Sequence, residues 1–178
     1  NWIHFIIVLI ADVVLYLYAY KLKATPLIGN LGVGFMTGFG FVFAGFSLNN
    51  PNIIMISMYL GFFAFVMTTA RELVKDIEDM EGDKAEGART LPILYGEKIT
   101  AILASILIIV DCALCPLLYY INIFGFYYLM VIAVAVILFI YSAILIIRNQ
   151  DRTTAAKVSK YLKIGMLIAF VAFIFGSF

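Results

Sequence analysis

The chain has 178 residues, of which 65% are hydrophobic and 13% are charged, and its mean hydropathy is +1.07. This composition excludes a water-soluble globular domain, because such a domain needs a polar shell around its core. Twelve Lys and Arg residues nearly balance eleven Asp and Glu residues, so there is no net basic field to attract nucleic acid. The composition predicts an integral membrane protein whose charge chemistry is local.

Six apolar stretches are long enough to cross a bilayer as helices. A membrane-spanning helix needs about 20 apolar residues, because every backbone polar group must be satisfied within the segment. We expect spans at residues 2–20, 26–48, 53–70, 99–121, 123–147 and 161–178. The predicted fold is all-α, a polytopic transmembrane helical bundle. Cys112 and Cys115 lie inside the fourth span and indicate neither a disulfide framework nor a zinc site.

All the Lys and Arg residues fall at alternate connections between these spans. Two are in the first connection, five in the third, and five in the fifth connection and the start of the last span. Alternate connections of a serpentine bundle lie on the same side, so all the cations share one face. The positive-inside rule predicts that this face is cytoplasmic, in a multi-pass protein of the cell membrane.

The third connection also carries a dense run of carboxylates. At about 100° per residue, Asp76, Asp79 and Asp83 fall within an arc of about 60° on a helix, and Glu72 extends the same stripe. Like charges at this spacing destabilise a helix by a few tenths of a kcal/mol per pair, and a divalent cation would reverse that effect. Carboxylate oxygens suit Mg²⁺, commonly held by one or two carboxylates plus substrate phosphates. We expect a metal site here, with a solvated, salt-bridged segment as the alternative.

Other charged residues support further hypotheses. Arg71, Lys75 and Arg89 offer the positive charge that a phosphorylated ligand needs. Asp12 and Asp111 lie within spans, where charge is expensive, so each is a functional hypothesis with a structural hydrogen bond as the alternative.

Glycines recur in the second span between residues 32 and 40. Gly34 and Gly38 form a small-xxx-small pair, which favours close packing of two membrane helices. The alternative for this run is a wall of a tunnel for an apolar ligand.

The carboxylate run resembles a motif of a known family. The second aspartate-rich motif of the UbiA superfamily of intramembrane prenyltransferases is similar to the string Asp76-x-x-Asp79-x-x-x-Asp83, followed by residues 87–92, Gly-Ala-Arg-Thr-Leu-Pro. The longer run from Arg71 to Lys84 is most similar to the archaeal ether-lipid branch of the superfamily.

A second segment supports the same resemblance, which extends over essentially the whole chain. The Tyr/Lys segment at the cytoplasmic end of the family's fourth helix is similar to Tyr18-Ala-Tyr20-Lys21-Leu-Lys23, followed by Thr-Pro at 25–26 and Gly-Asn at 29–30. Members have nine spans, with a first aspartate-rich motif between the second and third. We therefore expect a single prenyltransferase domain, of which these six spans are the fourth to ninth and the first motif is outside the chain.

The resemblance implies transfer of a geranylgeranyl group from its diphosphate to geranylgeranylglyceryl phosphate, with release of diphosphate, in a membrane. It implies Mg²⁺ as cofactor, held by Asp76, Asp79 and Asp83, and it makes Lys23 catalytic together with them. The residues expected to contact the substrate diphosphate are Lys23, Lys21, Arg71, Lys75, Arg89, Tyr18 and Tyr20.

Two alternatives remain from the sequence. The acceptor could be an aromatic compound or a tetrapyrrole, as in quinone, tocopherol or chlorophyll synthesis, because similar motifs occur in those branches. A more remote alternative is a cation-binding channel or transporter subunit. A channel predicts ionisable residues along the bundle, whereas here the acids and cations crowd at one end.

Overall fold

Residues 2–20, 22 and 25–176 are described by a computed structural model, and within them eight α-helices follow one another with no intervening strand. The helices are α1 (Trp2–Tyr20), α2 (Ile28–Ser47), α3 (Pro51–Ala85), α4 (Leu91–Tyr95), α5 (Glu97–Leu114), α6 (Leu117–Tyr120), α7 (Phe126–Arg148) and α8 (Arg152–Gly176).

Six helical stretches are long and apolar enough to cross a membrane, which confirms the predicted all-α bundle. The fourth is formed by α5 and α6 together, from Glu97 to Tyr120. It is interrupted at Pro116, whose ring removes a backbone donor and obstructs the preceding turn. The protein is therefore a multi-pass membrane protein.

Helix α3 continues well past residue 70, the predicted end of the third span. It has 35 residues, so at a rise of about 1.5 Å per residue it is longer than the hydrocarbon core, about 30 Å thick. The apolar part, residues 53–70, is the span, and residues 71–85 continue outside it as a charged helix. This extension is stable because it buries Leu73, Val74 and Ile77 against the bundle. The carboxylate stripe therefore lies on a helix rather than in a loop.

Helix α8 also begins earlier than predicted, at Arg152 instead of residue 161. Its first turn is capped by Asp151, which accepts hydrogen bonds from the Thr154 backbone N–H at 2.8 Å and the Thr154 hydroxyl at 2.9 Å. The cations expected before the last span are consequently part of the helix.

Helix α3 is the centre of the bundle, because α2, α5 and α8 all pack on it and α7 packs on α5 and α8. The core between them contains Leu73, Ile108, Tyr128, Ile132, Phe139 and Leu162. Helix α1 packs on α2 and buries only Ile7, at 9% exposure, among its described residues. The apolar remainder of α1 is suited to lipid contact.

The contact between α2 and α3 is made by glycines. A Cβ atom added at Gly34 would lie 2.7 Å from the Phe65 carbonyl oxygen, and one added at Gly61 would lie 2.7 Å from the Gly38 carbonyl oxygen. No real side chain tolerates such distances, so the two backbones are in direct contact. The small-xxx-small pair of the sequence is thus a helix-packing element.

Candidate functional site

Charged residues from α3 and α8 and a polar residue of α2 meet at one end of the bundle. Asn30 at the start of α2 donates a hydrogen bond from Nδ2 to Oδ2 of Asp76 on α3, at 2.9 Å. Arg152 Nη1 at the start of α8 lies 3.9 Å from Glu81 Oε2 on α3. The alternate connections therefore share a face, as predicted, and we call residues 71–98 and 148–163 the charged end.

Asp76 is partly buried, and several other carboxylates lie near it. Burial, together with the nearby charges of Asp83, Glu72 and Asp79, raises the pKa of Asp76 to about 7, against the opposing hydrogen bond from Asn30. The carboxylates are thus close enough to interact electrostatically. A cation bound there would favour the ionised form of Asp76 and lower its pKa.

Asp79 and Asp83 lie farther along the same face of α3. Asp79 Oδ2 is 3.8 Å from Lys75 Nζ, and both side chains are about half exposed. Among the residues that the structure describes, no three His, Cys, Asp or Glu side chains converge closely enough to hold a metal ion by themselves. The stripe could therefore provide part of a coordination shell, with ligand oxygens needed to complete it.

Two of the predicted cations lie beside the stripe on α3. Arg71 Nη1 is 2.6 Å from Glu72 Oε1, while its buried Nε has no hydrogen-bond partner. Arg71 therefore places its guanidinium beside the carboxylates, and Lys75 provides a second, more exposed charge. Arg89 is exposed in the irregular segment before α4. Lys21 and Lys23 lie outside the described residues.

The two predicted tyrosines of α1 differ in orientation. Tyr18 packs toward α2, where a Cβ atom added at Gly32 would lie 3.5 Å from its Cδ2 atom, and it is within electrostatic range of Glu72 and Asp76. Tyr20 is 77% exposed and stacks on Tyr16, with ring centroids 6.1 Å apart. The structure brings Tyr18 toward the aspartates and places Tyr20 away from them.

An apolar cavity of about 270 Å³ lies between α2, α3, α5, α7 and α8. Phe63, Met67 and Phe170 are among its walls, and Lys163 lines it on the side of the charged end. Asp111 also lines it, 3% exposed and with an Oδ1 atom that has no hydrogen-bond partner. The other intramembrane acid, Asp12, is exposed on α1. The cavity is thus an apolar space with Lys163 of the charged end in its lining.

Sequence reasoning did not assign a role to Asn30. The sequence feature that could have pointed to Asn30 is its position as a polar residue in the first turn of an apolar span. Asn30 is four residues before Gly34 and therefore lies on the glycine face of the helix. Thr90, in the segment before α4, is buried and its hydroxyl has no hydrogen-bond partner.

Comparison with known proteins identifies the family. A sequence profile described as the UbiA prenyltransferase family matches residues 1–174. The chain belongs to the UbiA prenyltransferase family. This membership favours the predicted prenyltransferase over the channel or transporter alternative, and it agrees with the placement of the aspartate-rich motif at the charged end.

Two archaeal members of the UbiA family are especially similar to the chain. Digeranylgeranylglyceryl phosphate synthase from Methanobrevibacter smithii is 65% identical over 178 residues, which are 100% of this chain and 62% of that protein. The synthase of the same name from Methanosphaera stadtmanae is 52% identical over 172 residues, covering 97% of this chain and 62% of the relative.

The fold of a solved UbiA-family structure is also similar. A structure described as concerning digeranylgeranylglyceryl phosphate synthase in membranes superposes with a TM-score of 0.91 at 44% identity, covering 99% of this chain and 62% of the other. The chain thus spans 62% of the length of the relatives named here.

Proposed function

We propose that this chain forms the larger part of a prenyltransferase that joins a geranylgeranyl group from its diphosphate to geranylgeranylglyceryl phosphate. The observation that carries the proposal is the position of the Asp76, Asp79 and Asp83 stripe, with Arg71 and Lys75, at the charged end beside an apolar cavity. A prenyl diphosphate has the matching division into an anionic head and an apolar chain. The names of the most similar relatives supply the acceptor.

In this reaction the bond between C1 of the prenyl group and the diphosphate oxygen breaks, and the diphosphate leaves with the electron pair. The acceptor hydroxyl oxygen forms the new bond to C1 and loses its proton. A diphosphate leaves readily only when its growing charge is stabilised. Arg71 and Lys75 are the described cations best placed to supply donors to it, and Lys23 and Lys21 are proposed to join them.

Mg²⁺ is part of the proposal, held by Asp76, Asp79 and Asp83. The donor set is entirely carboxylate oxygen. Burial and, to a smaller extent, the neighbouring carboxylates raise the pKa of Asp76, and a divalent cation would offset both effects. A three-carboxylate cage is not required, because Mg²⁺ commonly combines one or two carboxylates with substrate phosphates. When bound, the ion neutralises charge on the leaving diphosphate.

The apolar cavity is proposed to receive part of the prenyl chain. Its walls include Phe63, Met67 and Phe170, which exclude water from an isoprenoid. Lys163 marks the side facing the charged end, so a chain entering there would keep its diphosphate near α3. Tyr18 could offer its hydroxyl to the diphosphate or its ring to the developing allylic cation.

A transfer assay with the complete protein tests this function. Geranylgeranyl diphosphate and Mg²⁺ are supplied with one of four acceptors: geranylgeranylglyceryl phosphate, 4-hydroxybenzoate, homogentisate or a chlorophyllide. We expect product with the glyceryl phosphate only. Product with an aromatic or tetrapyrrole acceptor instead would move the enzyme to another branch of the family, and no product with any acceptor would reject prenyl transfer.

We also propose that the charged end faces the cytoplasm, as its cations indicate. Single cysteines can be placed in a background without Cys112 and Cys115 at positions that are exposed in the structure. Asn52→Cys and Tyr120→Cys should react with an impermeant thiol reagent from outside. Glu86→Cys and Lys157→Cys should react only after permeabilisation, and the reverse pattern would place the site on the outer face.

A further inference from the structure

One polar contact connects the aspartate stripe to a neighbouring helix. Asn30 on α2 is 6% exposed, and its Nδ2 atom donates to Oδ2 of Asp76 across 2.9 Å. An amide buried at a helix interface needs partners, because an unpaired buried donor costs about 1–3 kcal/mol. Asp76 supplies such a partner, so the contact fixes the orientation of both side chains.

The glycines of α2 determine that Asn30 can reach Asp76. Asn30, Gly34 and Gly38 recur every four residues and so lie on one face of α2. Along α3 their neighbours run in the opposite order, with Asp76 opposite Asn30, Phe65 opposite Gly34, and Gly61 opposite Gly38. Backbone contact at the glycines brings the helices together closely enough for the short Asn side chain to span the gap.

The hydrogen bond from Asn30 makes the two oxygens of the Asp76 carboxylate inequivalent. Oδ2 accepts the hydrogen bond from Asn30, so Oδ1 is the oxygen that this contact leaves for another partner. A carboxylate held in this way presents one oxygen to a ligand. Single-oxygen coordination suits the octahedral shell of Mg²⁺, while Ca²⁺ readily accepts both oxygens of one carboxylate.

We propose that Asn30 is a positioning residue: it holds the Asp76 carboxylate by one oxygen so that the other is directed to the metal and diphosphate. This inference rests on the proposed function, since it assumes that Asp76 binds the metal. Groups that hydrogen-bond to metal ligands typically contribute about 10–100-fold to metal affinity or activity. Asn30 acts through Asp76 and is not itself expected to touch the substrate.

The test is Mn²⁺ binding by the complete protein in the presence of inorganic diphosphate, followed by electron paramagnetic resonance. Asn30→Leu keeps the approximate size of the side chain and removes the donor. We expect its dissociation constant for Mn²⁺ to rise at least about tenfold. The matched control is Asn52→Leu, an exposed position at the opposite end of α3, which should stay within about twofold of the original protein.

A double-mutant cycle separates positioning from a general structural role. In an Asp76→Asn background, Asn30→Leu should weaken Mn²⁺ binding no further, because the residue through which Asn30 acts is already changed. An equal loss in both backgrounds, or a Kd for Asn30→Leu within about threefold of the original, would overturn the proposal. If Asn30→Leu does not fold, Asn30→Ser replaces it, since the serine hydroxyl is too short to reach Asp76.

The binding readout also keeps this proposal distinct from the proposed function. Failure of the complete protein to transfer a prenyl group would reject the function and leave the effect of Asn30 on Mn²⁺ measurable. Normal transfer with unchanged Mn²⁺ affinity in Asn30→Leu would reject the positioning role alone.

Discussion

Asp76 and Asp111 are both withdrawn from solvent, yet their surroundings differ in every other respect. Asp76 lies at the charged end, with an amide donor at 2.9 Å, and burial together with acidic neighbours raises its pKa to about 7. Asp111 lies deep in the bundle, 3% exposed, with an unpartnered oxygen among apolar walls. Burial alone therefore does not distinguish a candidate metal ligand. A candidate metal ligand is distinguished by a hydrogen bond that orients it, together with further carboxylates and nearby cations.

The largest expected difference between the stripe and Asp111 is in the rate of catalysis. Asp76→Asn, Asp79→Asn and Asp83→Asn in the complete protein should each lose at least about tenfold in transfer rate, because charge on the leaving diphosphate is less well neutralised. Raising Mg²⁺ should recover part of the loss. In Asp111→Asn the Mg²⁺ concentration for half-maximal rate should stay within about twofold of the original. Unchanged rates in all three stripe variants would remove the metal assignment.

The next effect concerns the cations beside the stripe. Arg71→Gln and Lys75→Gln should each reduce kcat/KM for the prenyl diphosphate about tenfold, which corresponds to about 1.4 kcal/mol of transition-state stabilisation. Lys157→Gln is the control, because Lys157 is exposed on α8 and has no place in the site. Equal losses in all three variants would indicate a general electrostatic effect instead of specific contacts.

Stability should depend on pH through Asp76. Its pKa of about 7 in the folded protein exceeds the value of about 3.9 expected in an unfolded chain, so the folded state binds the proton more tightly. Asp76 therefore disfavours folding increasingly as pH rises from about 4 through about 7. In a metal-free detergent solution, Asp76→Asn should raise Tm by a few degrees at pH 8 and by much less at pH 5. An equal change in Tm at both values would contradict this.

The smallest expected effect concerns Asp151, a carboxylate whose pKa is lowered instead of raised. Hydrogen bonds from Thr153 and Thr154 lower the pKa of Asp151 to about 2. The capping contribution is present above about pH 4 and is lost as pH falls through about 2. Asp151→Ala should lower Tm slightly at pH 7, and the difference in Tm should shrink near pH 2. A difference in Tm that stays constant with pH would exclude capping by the ionised form.

The spans and the stripe could be predicted because they depend on local properties. Runs of apolar residues specify membrane helices, and the spacing of Asp76, Asp79 and Asp83 specifies one helix face. The packing of the helical extension of α3 to residue 85 could not be predicted, because it depends on burial of Leu73 and Ile77 against other helices. The sequence of a charged run with few apolar residues does not indicate that the run packs against other helices.

The contacts of the site depended on tertiary structure in the same way. Tyr18 and Tyr20 share a motif, but only packing of α1 on α2 determines which of them faces the aspartates. The role of Asn30 depends on how closely α2 approaches α3, which the glycines allow but do not reveal by themselves. Sequence spacing defined the acidic face, and the structure shows that Asn30 donates a hydrogen bond to it.

The central claim is that the stripe on α3 binds a metal ion together with diphosphate. The most direct measurement is the magnetic coupling between bound Mn²⁺ and ¹³C in the aspartate carboxylates of the complete protein, recorded with inorganic diphosphate present. We predict a ¹³C coupling that persists in Asp111→Asn and disappears when Asp76, Asp79 and Asp83 are all changed to Asn. No coupling in the original protein, or the same coupling in the triple variant, would contradict the account.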